Sequence, residues 1–316
     1  MLNMTVPSVL ADLLRIKRPH GGIGEDRARE RVLREIKSMG LWDKARQDAH
    51  GNIEVKLGPD VGNVFTAHLD TVHREDGPLE LLFIQETGEL VADETVDGKT
   101  KAAVLGADDA AGVFLLTELM RAGISGTYLF FVGEECGGVG SSAYVRDNTK
   151  FSANFVVSFD RRGYSDVITE QGCYQTASET FAAALAKQLN THGQSLEYKP
   201  CDTGVYTDSK EFAGIVPECT NISVGYFNEH TVRECLDLDH LLRLRDALVR
   251  VQWDKLPICR TPVHDMPWGS YFNKAYGAPS KAKVLDAMQE LKALAIAENL
   301  SYGEVLDFID LLEEYL

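Results

Sequence analysis

The chain has 316 residues, of which 44% are hydrophobic and 25% are charged, as in an ordinary globular protein. Its formal net charge of -16 at pH 7 leaves no basic surface for a phosphate backbone, which argues against nucleic acid as a partner. The N-terminal residues lack the features of a signal peptide, and no segment has the roughly 20 apolar residues that span a bilayer. We therefore expect a cytoplasmic protein without membrane attachment.

Strand patterns and helix patterns alternate along most of the chain. We predict helices at residues 25–39 and 109–121, and strands at residues 53–57, 64–69, 127–133 and 154–160. Thr176 and Glu179 have the spacing of a capping box at the start of a further helix. This order of elements predicts an α/β fold, a three-layer αβα sandwich with a mixed, largely parallel central sheet.

The character of the chain changes near residue 255. Residues 1–255 are predicted to form the catalytic domain, and residues 256–316 a C-terminal helical extension. In this extension a proline-containing stretch leads into helices at residues 281–299 and 302–315. Their apolar faces are expected to pack on the same domain or on a partner, which makes them the candidate interface of a homo-oligomer.

Acidic and histidine residues follow the predicted strands. His68 and Asp70 follow one strand, Glu134 and Glu135 follow a second, and Asp160 follows a third. Ligands of open α/β sheets bind at the carboxyl ends of the strands, so these side chains are expected to meet there. Carboxylates at the end of a buried strand need a cation or another partner, because an unpaired buried charge is costly.

Two further segments add candidates of the same chemistry. Asp108 and Asp109 stand at the start of a predicted helix, where an acidic pair is often only a helix cap. His230 stands in a predicted loop, where a lone histidine is often only a satisfied polar residue. Histidine and carboxylate side chains without thiolates suit zinc in an open, catalytic site. The joint pattern of residues therefore predicts a metal centre.

The segments HLD, GADDAAG, GEE, VVSFD and EHT, in this order, resemble the five-ligand signature of the co-catalytic dizinc exopeptidases of clan MH. The resemblance spans residues 68–230. It implies two zinc ions per chain, although cobalt or manganese would fit similar ligands. By this resemblance, one ion is bound by His68 and Asp160 and the other by Glu135 and His230, while Asp108 bridges both.

The same resemblance assigns two further roles and a branch of the clan. Glu134 is similar to the general base, and Asp70 to the residue that accepts the other imidazole N–H of His68. The peptide bond between Asp108 and Asp109 is expected to be cis. The short interval after Asp160 leaves no room for a separate lid or dimerisation domain. The chain therefore resembles the single-domain branch that includes bacterial leucyl aminopeptidases and glutaminyl cyclases.

These observations predict a metallopeptidase, an aminopeptidase or other exopeptidase, that hydrolyses a peptide or small amide. A glutaminyl cyclase-like acyltransferase or a small-metabolite deacylase on the same site is the first alternative, and a non-catalytic binding protein on this fold is the second. Arg161 and Arg162 are candidates to hold a substrate carboxylate, or they pair with acidic neighbours such as Asp166. Tyr226 is a candidate hydrogen-bond donor to the reaction oxyanion, or a packed aromatic residue.

Overall fold

Helices and strands alternate along the part of the chain that the computed structural model describes, residues 6–172 and 174–262. The helices are α1 (Ser8–Leu14), α2 (Ile23–Ser38), α3 (Ala107–Arg121), α4 (Val139–Asp147), α5 (Glu179–His192) and α6 (Leu238–Leu248). The strands are β1 (Ile16–Lys17), β2 (Ala45–Gln47), β3 (Ile53–Leu57), β4 (Asn63–His68), β5 (Gly77–Pro78), β6 (Glu80–Ile84), β7 (Glu89–Val96), β8 (Lys99–Ala103), β9 (Gly126–Phe131), β10 (Phe155–Arg161), β11 (Asp166–Ile168), β12 (Glu170–Gln171), β13 (Tyr174–Gln175), β14 (Lys199–Cys201), β15 (Glu218–Ser223), β16 (Tyr226–Phe227) and β17 (Cys235–Asp237). None of these helices is long and apolar enough to cross a membrane.

An eight-stranded mixed sheet forms the centre of the fold, in the order β14-β11-β15-β10-β4-β9-β3-β2. Its middle strands β15, β10, β4 and β9 are parallel to one another, whereas β3 pairs with β9 in the opposite direction. Parallel strands end at the same edge of a sheet, so the segments that follow β4, β9 and β10 meet there. The predicted mixed, largely parallel sheet is confirmed.

Both faces of this sheet are buried. In β4, Val64 and Phe65 belong to two different clusters of buried apolar side chains, and in β10 the same holds for Val156 and Val157. Successive strand residues point to opposite faces, so each cluster covers one face. Helices α1, α2, α3, α5 and α6 contribute to the larger cluster and α4 to the smaller. This is the predicted three-layer sandwich, and it explains the nearly continuous apolar runs of the middle strands.

The sequence did not predict a second, smaller sheet. Strands β6, β7 and β8 form an antiparallel meander between β4 and α3, and β17 and β16 continue it. Most positions of β6, β7 and β8 are at least partly exposed, so these strands lack a strong apolar pattern. The sheet matters for the site, because the loop between β16 and β17 carries His230.

The start of α5 differs from the prediction. Ser178 is the N-cap, and its hydroxyl oxygen accepts the backbone N–H of Phe181. The hydroxyl of Thr176 instead accepts a hydrogen bond from the side-chain amide of Gln171. The capping box predicted from Thr176 and Glu179 is therefore wrong by two residues, since serine and threonine both suit an N-cap and spacing alone did not separate them.

The predicted C-terminal extension, residues 256–316, is described only as far as Pro262. Over that part, the backbone N–H groups of Cys259 and Arg260 donate to the buried carboxylate of Glu218 in β15. The two predicted helices lie outside the described residues, so the division of the chain at residue 255 stays a prediction.

Candidate metal centre

Three parallel strands bring polar side chains to one edge of the central sheet. Strand β4 ends at His68, and Phe131, the last residue of β9, lies beside it in register. The turn after β9 carries Glu134 and Glu135, and Asp160 lies near the end of β10. The parallel register therefore places the side chains of three separate segments around one point, as the sequence predicted.

Two other segments complete the cluster. Asp108 lies in the first turn of α3, where its backbone is not helical (φ -77°, ψ 98°). The peptide bond between Asp108 and Asp109 is cis, as the resemblance implied. His230 lies in the loop between β16 and β17, has a left-handed φ of 62° and leaves 49% of its side chain exposed. The site thus draws on both sheets and on one helix.

Asp108 lies between two histidines. Its Oδ1 is 3.0 Å from Nε2 of His68, and its Oδ2 is 3.2 Å from Nε2 of His230. Oδ1 of Asp160 lies 3.5 Å from the same nitrogen of His68, and Oε1 of Glu135 lies 3.0 Å from the same nitrogen of His230. The five side chains therefore form two groups that share Asp108.

These side chains fit divalent metal ions. Oε1 of Glu135 is buried and has no hydrogen-bond partner among the described residues, although Nε2 of His230 is only 3.0 Å away. The ligand atoms of His68, Asp108 and Glu135 all lie within 4.8 Å of one another. Two imidazoles and three carboxylates without a thiolate form the donor set of a catalytic zinc site. A cation would therefore satisfy an oxygen atom of Glu135 that the protein alone leaves without a hydrogen-bond partner among the described residues.

Asp109 has a different role from its neighbour. It is fully buried, its Oδ2 accepts the backbone N–H of His68 at 3.1 Å, and its Oδ1 accepts that of Gly112 at 2.9 Å. Both oxygens are thus used by backbone donors. The helix-cap interpretation considered for the acidic pair applies to Asp109, whereas Asp108 faces the histidines.

The cluster holds more negative charge than its histidines offset. Burial and the charge of Asp108 raise the pKa of Asp160 to about 6, and burial also raises the pKa of Glu135 and that of Glu134. The neighbouring carboxylates of Asp108 and Glu135 raise the pKa of His230 to about 11. Both directions show that the site favours added positive charge, which bound divalent cations supply.

Two hydroxyl groups hold the carboxylate of Asp160. Thr207 donates to its Oδ2 at 2.6 Å, and Tyr226 donates to its Oδ1 at 3.0 Å. The side chain of Asn221 pairs with the main chain of Asp160 through two further hydrogen bonds. Tyr226 therefore donates to Asp160, and the role of oxyanion donor that the sequence offered for it stays a prediction. The sequence did not identify Thr207, because its partner is 47 residues away in the chain.

Asp70 acts on the centre mainly through the backbone. Its Oδ1 lies 3.5 Å from Nδ1 of His68, whereas its two oxygens accept the N–H groups of Glu134 at 3.0 Å and Glu135 at 3.1 Å. Burial opposes ionisation, but His68 and these N–H donors outweigh it and keep the pKa of Asp70 below its usual range. Asp70 therefore lies beside His68 and fixes the turn that carries both glutamates, whereas its acceptance of the His68 N–H stays a prediction.

A cleft of about 380 Å³ opens onto the cluster, and Glu134 lies in its wall. Both candidate arginines also line it, but each has a partner in the protein. Nε of Arg161 donates to Asp166 at 3.2 Å, and Nη1 of Arg162 donates to Glu229 at 2.9 Å. The pairing of Arg161 with Asp166, which the sequence left open, is confirmed. Binding of a substrate carboxylate by these arginines stays a prediction.

Solved structures of other proteins share this fold. Aminopeptidase PepT from Bacillus cereus superposes with a TM-score of 0.58 at 16% identity, over 76% of this chain and 95% of that chain. A tripeptidase from Staphylococcus aureus gives 0.55 at 15% identity, over 76% and 95%. The TET1 peptidase of Pyrococcus horikoshii gives 0.53 at 18% identity, over 76% and 98%. At such identities the likeness shows the fold alone.

The sequence itself matches a family model. Residues 52–215 match the model described as Peptidase family M28, whereas no curated protein matches the chain. The matched span contains the turn with Glu134 and four of the five predicted ligands, and it covers just over half of the chain. The chain therefore belongs to peptidase family M28 and is a metal-dependent peptidase.

Proposed function

We propose that the chain is a two-zinc aminopeptidase, which removes N-terminal residues from peptides. In this proposal His68 and Asp160 would hold one zinc ion, His230 and Glu135 would hold the other, and Asp108 would serve both. The observation that carries the proposal is the position of Asp108, whose two carboxylate oxygens face the two histidines at 3.0 and 3.2 Å. Metal pairs of this kind need a carboxylate that contacts both ions.

Glu134 is the proposed general base. When bound, the metal ions would polarise the scissile carbonyl and make a water molecule acidic. Glu134 lies in the wall of the cleft next to Glu135, and burial raises its pKa. A carboxylate with a raised pKa accepts a proton from water and then passes it to the leaving amine, so one residue performs both transfers.

A short peptide held by one end suits the cleft. Its volume of about 380 Å³ is at the lower end of the range for small-molecule sites. The three solved structures compared above are named an aminopeptidase, a tripeptidase and a peptidase, which supports action at a chain end. The family match favours peptide hydrolysis over the acyltransferase and binding-protein alternatives.

The proposal is tested by Glu134→Gln with aminoacyl, dipeptide and N-acyl substrates, each with and without a chelator. Turnover should fall by about 10²–10⁴-fold, because general base catalysis contributes a factor of that size. The zinc content, measured by elemental analysis, should stay at two ions per chain. The matched control is Glu118→Gln, because the carboxylate of Glu118 pairs with Arg121 near the end of α3 and does not line the cleft.

Wild-type turnover in Glu134→Gln would contradict the base assignment. One zinc ion per wild-type chain together with cyclisation of an N-terminal glutamine would contradict the peptidase and favour the acyltransferase. Selective turnover of N-acyl substrates would move the assignment to a deacylase.

Self-association through residues 256–316 and a cytoplasmic location remain predictions from the sequence. Pyrococcus horikoshii TET1 peptidase can assemble into a tetrahedron or a large octahedral shell. Light scattering of the full chain in solution would report whether this protein also assembles, and cell fractionation would report its location.

A further inference from the structure

A buried arginine lies behind the metal cluster. Arg18 is 1% exposed, and its guanidinium donates to three backbone carbonyl oxygens. Nε donates to Leu69 at 2.9 Å, Nη1 to Leu13 at 2.6 Å and Nη2 to Gly106 at 2.8 Å. Burial lowers the pKa of Arg18 to about 10, so the group keeps its charge at neutral pH. No carboxylate among the described residues accepts a hydrogen bond from it.

A buried glutamate contacts the same segment from the other side. Glu234 is 1% exposed, its Oε2 accepts the N–H of Gly106 at 2.9 Å, and its Oε1 accepts the N–H of Asp108 at 3.1 Å. Both oxygens act as acceptors, which is the role of an ionised carboxylate, although burial and the charge of Asp108 raise its pKa to about 7. Glu234 lies in the same loop as His230.

Gly106 is therefore held between opposite charges. Its N–H faces the carboxylate of Glu234 and its C=O faces the guanidinium of Arg18. Its φ of +71° is left-handed, and a Cβ at this position would lie 3.0 Å from the methyl group of Thr71. A glycine is thus required where the chain passes between the two charged groups. Burial lowers the pKa of Arg18, and the carboxylate of Glu234, with those of Asp70, Asp109 and Asp108, opposes that change.

We propose that Arg18 and Glu234 are positioning residues that act as one pair across Gly106 and fix Asp108 between the two histidines. The inference rests on the metal-binding role proposed above for these side chains. Neither residue lines the cleft or contacts the reacting atoms. They act through the backbone that carries the ligands.

The pair joins three ligand-bearing segments. Arg18 binds the carbonyl of Leu69, directly after His68, and the carbonyl of Gly106, two residues before Asp108. Glu234 binds the first turn of α3 from the loop between β16 and β17. Each segment comes from a different part of the chain, so a shift of either charged group would change the separation of the ligands. Partners of this kind typically change metal affinity by about 10–100-fold.

The two charges also depend on each other. Glu234 binds the N–H and Arg18 binds the C=O of the same glycine, so removal of one group lets Gly106 shift and takes from the other its fixed partner. The two substitutions should therefore not have additive effects. Additive effects are expected only of residues that act independently.

The experiment uses Arg18→Met, Glu234→Gln and the double variant of the full chain. Each protein is stripped of metal and titrated with zinc against a chelating dye. Each single variant should raise the zinc dissociation constant by about 10–100-fold. Turnover should fall with little change in KM, and the double variant should be weakened by much less than the product of the two single effects.

Glu218→Gln is the matched control. Glu218 is also fully buried, and it accepts the N–H groups of Ser178, Cys259 and Arg260 far from the cluster in the hydrogen-bond network. This variant should lose stability without a change in zinc affinity. If the single variants bind zinc as the wild type does, or if their effects multiply in the double variant, the inference is overturned.

Two further outcomes keep the test decisive. If Arg18→Met does not fold, Arg18→Lys replaces it, because lysine keeps the charge and loses the planar fork. If Glu234→Gln does not fold, Glu234→Asp replaces it, because the shorter carboxylate keeps the charge and shifts both acceptor oxygens. Zinc affinity equal to that of the wild type in Arg18→Lys would overturn the inference. If the wild-type chain binds no zinc, the proposed function is refuted. If the wild type binds two zinc ions and the variants bind them equally well, only the pairing of Arg18 and Glu234 is refuted.

Discussion

Acid should destabilise the protein through His240, a buried histidine of α6. Its side chain is 3% exposed, and its ring centroid lies 4.7 Å from that of Tyr164. The hydroxyl of Tyr198 donates to the carbonyl of Ser223 at 2.6 Å, so it accepts from Nε2 of His240 at 3.1 Å. This arrangement gives a hydrogen-bond acceptor to the N–H of a neutral imidazole ring that carries its proton on Nε2. Burial lowers the pKa of His240 to about 4.

The size of the effect follows from the difference between the folded and unfolded pKa. The unfolded chain binds a proton at His240 with a pKa of about 6.5, whereas the folded chain does so only near 4. Because the folded pKa is depressed, this contribution to stability is complete above pH 6.5 and is lost as the pH falls toward 4. Between pH 7 and pH 5 the loss amounts to about 2 kcal/mol.

The assay is urea unfolding of the metal-free protein at pH 7 and pH 5, for the wild type and for His240→Gln. The drop in unfolding free energy between the two pH values should be about 2 kcal/mol smaller in the variant. Burial also lowers the pKa of His73 to about 4. His73 is present in both proteins, so its contribution to the pH dependence of stability cancels when the two drops are compared. His192→Gln, at the partly exposed end of α5, should keep the full wild-type drop. Equal drops in the wild type and His240→Gln would refute the reasoning.

Three substitutions test other contacts. Tyr226→Phe removes a hydrogen bond to Asp160 and should weaken zinc binding by about 10-fold or more, as measured by competition with a chelator. Unchanged zinc affinity would show that the hydroxyl does not orient the carboxylate. Gly112→Ala places a Cβ 2.4 Å from the carbonyl oxygen of Phe159. Chemical denaturation should therefore show a loss of about 1–3 kcal/mol in the free energy of unfolding, and wild-type stability would contradict this close approach. Phe65→Ala removes a ring that contacts four other aromatic rings and should cost about 3–5 kcal/mol in the same assay, whereas a loss below 1 kcal/mol would contradict its place in the core.

The central sheet could be predicted from the sequence because its strands are buried on both faces. Residues 128–132 and 155–159 are apolar apart from Ser158, and glycine or polar residues bound both runs. The meander of β6, β7 and β8 could not be predicted in this way. Residues 99–103 are lysine, threonine, lysine and two alanines, and most of them are exposed. Their strand conformation depends on pairing with β7 rather than on their own pattern.

The candidate ligands could be predicted because they directly follow strong strand patterns or stand in a recognisable motif. The role of Arg18 could not be predicted, because it follows two other basic residues, Arg15 and Lys17, and the sequence does not show which of the three becomes fully buried. In the structure that residue is Arg18. Glu234 acts on backbone N–H groups 126 and 128 residues away. No local pattern reports a contact of that range. Residues that support a site through the backbone therefore become visible only in the folded chain.

The unequal exposure of the two histidines bears on how the proposed zinc ions enter and leave. His68 is 1% exposed at the end of a central strand, whereas His230 leaves 49% of its side chain exposed in a loop. An ion held by His230 and Glu135 thus has a ligand that can swing toward solvent, and an ion held by His68 and Asp160 has none. The two ions would then exchange with the solution at different rates, and the ion beside His230 would be the one that responds first to a change in zinc supply.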